Sequence, residues 1–308
     1  DDLDLLSKQF RVQSLIGHGF MQVLRIFWST PQHDLVFCWF ASVYAAIAVM
    51  AARFFGKKSI IVVGGVDVAR EPGLNYGMFL SLWKSVLVRY ALRSASRVLV
   101  VDETLRSEIN ERIAREGKNI RYVPTGYDTE FWTPKGGKRS EVLTVAVVLN
   151  ERRVRLKGID TLIEAARNLP RLQFKVVGVR PQAVQQLNPP RNMHFYEPVP
   201  RSDLLAHYRR AQVYCQPSRR EGLPNTLCEA MLCECIPVAT TVGGIPSAVG
   251  KTGFLVPPED PIALTNAITM ALKAPRRQGK EARKRIVKDF PVERREKALE
   301  ELISDLTS

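Results

Sequence analysis

Short runs of aliphatic and β-branched residues recur along the chain with little polar alternation. They are separated by longer stretches in which apolar residues return every three or four positions. The runs lie at 10–15 (FRVQSL), 34–40, 59–65, 97–102, 120–126, 143–150, 173–179, 192–199, 212–218 and 235–244. A strand that is apolar on both faces is buried on both faces, which predicts parallel sheets covered by helices. The helical stretches include 1–8 with Leu3, Leu5 and Leu6, the Ala-rich Val43–Phe55, two aromatic segments at 19–28 and 78–95, and a last helix over roughly 292–306. No strand precedes helix 1–8, so the first unit is expected to begin one element late, its first strand missing from this chain.

The 308 residues exceed one ordinary core and predict two α/β domains. FWTPKGGKRSEV (131–142) joins Pro, two Gly and three cations without periodicity, as a linker does. The predicted division is 1–138, an acceptor-side Rossmann-like domain; 139–290, a donor-binding Rossmann-like domain; and 291–308, a helix packing back on the first.

The longest apolar stretch, Val43–Phe55, is interrupted by Arg53 and is too short to span a bilayer. The acidic DDLDLLSKQF lacks the regions of a signal peptide, giving a cytoplasmic location as the expectation. The five cysteines are scattered and form no zinc pattern. Net charge is +14, divided as +6 over residues 1–140 and +8 over the remainder. That even spread argues against a nucleic-acid module and leaves two partners, an anionic membrane face and phosphorylated small molecules. The aromatics and cations at helical spacing in 19–28 and 78–95 fit either core packing or an interfacial helix on the membrane's inner face.

The strongest chemical signal follows the run 212–218. SRREGLPNTLCEAM (218–231) reads as a strand end, a turn with Gly222 and Pro224, and a helix, so backbone N–H groups and a helix dipole meet at the strand's carboxyl end. That arrangement suits a phosphate. Glu221 in the turn and Glu229 in the helix frame it, and a carboxylate accepting from two vicinal hydroxyls clamps a ribose or a hexose. A helix cap beside two solvated acids is the alternative, with Asn225 and Thr226 as caps.

Two further segments point to the same edge. LNERRVRLKGIDTLIEAARNL (149–169) sets a basic cluster before a helix with Ile159, Leu162, Ile163 and Ala166 on one face; a solvated basic loop is the alternative. TTVGGIPSAVG (240–250) puts Gly243 and Gly244 after a strand, where a missing Cβ admits a ligand or a tight turn. In the first half, Gly64 and Gly65 end a strand and precede Asp67, a candidate for acceptor hydroxyls or for a structural turn. His18, His33, His194 and His207 form no metal pair.

EGLPNTLCEAM, IPVATTVGGIPSAV and TGFLVPPEDPIAL, in that order, resemble the donor-binding core of retaining glycosyltransferase family 4, with weaker similarity over 97–306. The resemblance implies the GT-B fold, two doubly wound Rossmann-like domains facing across a cleft, donor on the second and acceptor on the first. It implies hexosyl transfer from a UDP- or GDP-sugar to an acceptor hydroxyl of a glycan or lipid-linked glycan, with retained configuration and neither cofactor nor metal. Arg152 and Lys157 would neutralise the departing diphosphate, as fixed cations can in place of a metal. Glu221 would contact the sugar and Glu229 the ribose, while Gly222, Leu223, Pro224, Asn225, Thr226 and Val199 complete the donor site. The chain departs from the family at two places. Glu151 stands where a Gly usually precedes the Arg, leaving Arg153 or Arg155 as substitutes, and Gly64 stands where a His is frequent. A catalytically silent GT-B subunit, an epimerase and a phosphorylase of the same architecture remain as alternatives.

Overall fold

The computed structural model describes residues 2–113, 119–137 and 139–308. Every strand pairing in it is parallel. The described residues divide into two units, one of residues up to Gly126 together with Val292–Ser308, the other Tyr127–Pro291.

In the first unit, strands β1 (Leu35–Trp39), β2 (Lys58–Val63), β3 (Arg97–Val100) and β4 (Ile120–Tyr122) lie side by side in sequence order. Helices α1 (Asp2–Ser7), α2 (Phe20–Ser29), α3 (Val43–Phe54), α4 (Leu82–Ser94) and α5 (Glu103–Ile113) accompany them. The unalternating runs have the expected consequence, since Ile60, Ile61, Val62 and Val63 are all buried, as are Val98, Leu99 and Val100. Ser42 starts α3 by accepting from the Ala45 N–H at 3.2 Å, and six alanine or valine side chains of that helix are buried.

Residues 10–15 correct the reading of FRVQSL as a strand. They form none; Val12 and Leu15 are exposed, and the segment is tied to α2 by Gln22 Nε2 donating to the Leu15 carbonyl and by Ser29 Oγ donating to Gln13. A stretch with no strand beside it has no ladder to join.

The second unit holds β5 (Glu141–Val148), β6 (Phe174–Val179), β7 (Met193–Tyr196), β8 (Ala211–Gln216), β9 (Ile236–Thr240) and β10 (Phe254–Val256), the last unforeseen. Their helices are α6 (Glu151–Leu156), α7 (Ile159–Arg167), α8 (Arg201–Arg210), α9 (Asn225–Leu232), α10 (Ile245–Val249), α11 (Pro261–Lys273) and α12 (Arg276–Asp289). The strand order is β7-β6-β5-β8-β9-β10. The chain therefore steps outward from β5 through β6 and β7, then returns to place β8 on the other side of β5. That reversal is the topological switch point of a doubly wound sheet, where ligands bind at the strands' carboxyl ends. Val142, Val148, Phe174, Val176, Val213 and Val238 of the sheet pack with Leu162, Ile163, Leu264 and Ile268 in one core.

The segment before β5 joins this unit from Tyr127 onward, earlier than the predicted linker, and its packing explains why. Trp132 is wholly buried, edge-on to Tyr208 with centroids 5.4 Å apart, and the Arg201 guanidinium lies 5.0 Å from its ring. Lys138, at the predicted boundary, lies outside the described residues. The last helix, α13 (Val292–Thr307), belongs to the first unit and contacts α1 and β1.

Candidate functional site

The loop after β5 and the loop after β8 leave the sheet side by side at the switch point. Lys157, immediately after α6, donates to Glu221 Oε1 at 2.6 Å. The same oxygen accepts from Ser218 Oγ at 2.7 Å and from Gln216 Nε2 at 3.0 Å. Gln216 in turn accepts from Tyr214 Oη at 3.0 Å, and its oxygen lies 3.4 Å from Thr226 Oγ1 at the start of α9. Three donors converging on one carboxylate oxygen fix the Glu221 side chain. Burial raises Tyr214 well above the ordinary tyrosine value, so it stays a neutral donor in this chain of hydrogen bonds.

Backbone approach sets the loops. Gly158 has φ +64°, and a Cβ there would lie 1.8 Å from the Pro217 carbonyl oxygen. Gly243 has φ +52°, and its Cβ would lie 2.0 Å from the Glu221 carbonyl oxygen; Gly244 N–H donates to the Gly222 carbonyl at 2.8 Å. The Gly243–Gly244 pair thus presses on the 221–224 loop and shapes it. Arg219 clips the two loops together, donating to the Arg155 carbonyl and forming an ion pair with Asp160 at 2.8 Å.

α9 begins beyond Pro224 without any side-chain cap, so Asn225 and Thr226 are helical residues and not caps. Asn225 accepts from Tyr127 Oη at 3.1 Å. The uncapped first turn directs backbone N–H groups and the positive helix end toward the loop, a place for anionic oxygen. Gly222, Leu223 and Pro224 of the turn are buried. Farther along α9, Glu229 accepts from Tyr208 Oη at 3.1 Å. Burial pushes its carboxyl up to about 7, against the pull of the Tyr208 hydrogen bond and of the Arg201 charge.

Lys157, Glu221 and Thr226 are therefore linked through Gln216, with Gly222 and Asn225 next to them along the chain. Arg152, Arg153 and Arg155 are exposed on α6, a short helix where the sequence suggested a loop, and Asn150 caps it. Val199 is half-buried in the loop after β7, an edge strand separated from β5 by β6.

In the first unit, Asp67 is fully buried and accepts from the backbone N–H groups of Ala41 (3.0 Å), Gly64 (3.3 Å) and Gly65 (2.8 Å). Burial raises its carboxyl and these N–H groups lower it. This geometry gives Asp67 the structural-turn role. At Gly64 a Cβ would lie 2.6 Å from the Phe40 ring, so Phe40, itself at φ +69°, fills the space a side chain there would need.

Sequence reasoning missed Gln216, Ser218, Tyr214 and Tyr208. Tyr214 and Gln216 are polar residues inside a strand buried on both faces, and their need for partners was the available signal.

Residues 141–274 match the model of the glycosyl transferases group 1 family. Over those residues the chain carries the pattern of the group 1 glycosyltransferases. This glycosyltransferase is 28% identical over 274 residues to the GDP-mannose-dependent alpha-(1-6)-phosphatidylinositol monomannoside mannosyltransferase of Mycolicibacterium smegmatis, covering 80% of this chain and 69% of the relative. It is 30% identical over 235 residues to the alpha-maltose-1-phosphate synthase of the same organism, covering 67% of this chain and 60% of that protein. Among solved structures, Anabaena HepE in complex with UDP and glucose superposes with a TM-score of 0.78 at 18% identity, over 99% of this chain and 89% of HepE. The two parallel α/β units of the glycosyltransferase are those of the GT-B fold.

Proposed function

We propose that this glycosyltransferase moves a hexose from a UDP- or GDP-sugar to an acceptor hydroxyl, with retention and without a metal ion. The observation that carries the reading is the Lys157–Glu221 pair astride the switch point, at 2.6 Å, beside the uncapped start of α9. In this reading the donor diphosphate lies against the first turn of α9, and Lys157 and Arg152 neutralise the charge that develops on it as the sugar departs. Glu221 receives sugar hydroxyls on Oε2, Glu229 holds the ribose, and Val199 lines the donor site. The 221–224 turn, pressed into shape by Gly243 and Gly244, meets the donor already formed. Retention is what the sequence resemblance to family 4 supports, and fixed cations at the diphosphate support independence from metal and cofactor. The named activity of the mycolicibacterial mannosyltransferase supports a lipid-linked glycan as acceptor, and the +14 charge supports work at an anionic membrane face.

The test is a thermal-shift series with UDP, GDP, ADP and their common sugars, with and without EDTA. A ligand at a hundred times its Kd adds about 2.7 kcal/mol to stability. One nucleotide series should stabilise the protein equally in EDTA, and Lys157→Met should lose most of that shift. NMR of the sugar released by slow donor hydrolysis should show the donor's own anomer first. No shift with any nucleotide would make the silent subunit the better account, and the opposite anomer would overturn retention.

A further inference from the structure

Helix α2 is inverted relative to an ordinary surface helix. Its buried side chains are Gln22 and Ile26. Its apolar stripe, Phe20, Met21, Leu24, Phe27 and Trp28, faces outward, with Phe20 74% and Trp28 76% exposed. The spacing of those five residues is that of one helical face, so the exposure belongs to a continuous strip and not to scattered single residues. Phe27, Trp28, Pro31 and Phe55 line a shallow apolar hollow of about 280 Å³, and Phe54 beside it is 78% exposed. Along the stretch of chain that carries this strip the charge is one-sided. Between Arg11 and Lys58 the chain carries five cations, Arg11, Arg25, Arg53, Lys57 and Lys58, and a single acid, Asp34. No described helix is long and apolar enough to cross a membrane.

We propose that α2, with the Phe54–Lys58 turn, is an interfacial docking surface for an anionic lipid bilayer. Trp28, Phe27 and Phe20 enter the headgroup–acyl boundary, and Arg25, Arg53, Lys57 and Lys58 meet lipid phosphates. Aromatics on one side and cations at the rim are the chemistry of in-plane membrane helices. Each cation near such a surface contributes about 1 kcal/mol, so charge alone makes the binding selective and salt-sensitive. The inference rests on the proposed function only for its membrane-borne acceptor and needs no donor site.

Flotation with phosphatidylcholine vesicles, and with an equimolar mixture of phosphatidylcholine and phosphatidylglycerol, tests it on the full chain. Binding to the anionic vesicles should exceed binding to the zwitterionic ones by at least about tenfold and fall with added salt. Trp fluorescence should shift to the blue on anionic vesicles, and Trp28→Ser should remove most of that shift. Phe27→Ser with Trp28→Ser should cost at least about tenfold in vesicle binding, while the nucleotide thermal shift stays that of the wild type. Docking fails alone if nucleotides stabilise the protein but anionic vesicles do not bind it, or bind the double variant equally. A dimer that the double variant dissolves, without vesicle binding, would also overturn it and make the strip a contact between two copies. Vesicle binding without any nucleotide shift would leave docking standing and sink the donor-site reading instead.

Discussion

Glu229 shows how one half-buried carboxyl couples stability to ligand chemistry. Its folded value of about 7 lies above the ordinary 4.5, so the native state holds the proton more tightly than the unfolded chain does. The stabilising contribution is complete below about pH 4.5 and lost as pH rises through about 7. Above that, the buried charge costs up to about 3 kcal/mol. Glu229→Gln keeps an acceptor for Tyr208 and removes the charge. Melting curves should therefore show the variant more stable than wild type at pH 8, with the advantage shrinking toward pH 5, and its nucleotide shift reduced. A variant no more stable at pH 8 would show that the carboxylate is better solvated than its position beside Tyr208 implies. Gly64 offers a second test at this scale. Placing a His at this position forces the Phe40 ring aside, since a Cβ lies 2.6 Å from it. Gly64→His should destabilise by about 1–3 kcal/mol. Adding Phe40→Ala should recover part of that loss in a double-mutant cycle, and strictly additive effects would show that the ring is not the obstacle.

At the level of elements, the glycine hinges decide whether the switch-point loops hold their form. Gly243→Ala combines a positive φ with a Cβ 2.0 Å from the Glu221 carbonyl oxygen, so the 221–224 turn must shift. The expected outcome is a loss of more than about 1 kcal/mol in stability and of most of the nucleotide thermal shift. Gly136→Ala, where a Cβ meets nothing within 4 Å, should change neither. An unchanged nucleotide shift in Gly243→Ala would separate the turn from the binding site. The same elements mark what the sequence could reveal. Buried runs such as SIIVVGG and RVLVVD announced parallel strands because nothing polar breaks them between Ile60 and Val63 or between Val98 and Val101, and the Gly-Pro turn before NTLCEAM announced a strand-to-helix edge. β10 escaped because it has three residues between Gly253 and Pro257, too few to show a period. FRVQSL misled because a short run of strand-forming residues does not record whether a partner strand lies beside it. The hydrogen-bonded chain from Tyr214 through Gln216 and Ser218 to Glu221 depends on how neighbouring strands and loops align in space. Linear spacing records only that those residues are polar. Arg219 was hidden likewise, since its partner Asp160 lies 59 residues away.

Across the whole chain, the path runs through the first unit, then the second, and returns to the first through α13. That return is held by a buried ion pair. Arg295, on α13, forms a two-pronged contact with Asp2 and also donates to the Val123 and Pro124 carbonyls at 2.9 Å. Its guanidinium lies 5.5 Å from the Trp39 ring. Arginine is suited to this place because its planar fork satisfies a carboxylate and two carbonyls at once. Such a pair is a weak source of net stability when both partners are present, but removing one leaves a buried, uncompensated charge at a cost of about 3–5 kcal/mol. Arg295→Met should therefore destabilise the first unit strongly, because Asp2 and two carbonyls lose their donors together. The second unit has its own sheet, its own core and every residue of the donor reading, so its nucleotide response should persist. Calorimetry of the wild type and of Arg295→Met, each with and without the stabilising nucleotide, reads both effects. The expected record is an early transition insensitive to nucleotide in the variant, followed by a later one that nucleotide raises as it does in wild type. A single transition that falls as a whole would mean that the two units unfold together, and that the Asp2–Arg295 pair limits the stability of the donor site as well. Asp2→Asn with Arg295→Met separates the cost of the stranded charge from that of lost packing. The double variant should be more stable than Arg295→Met alone, since it buries no unpaired carboxylate.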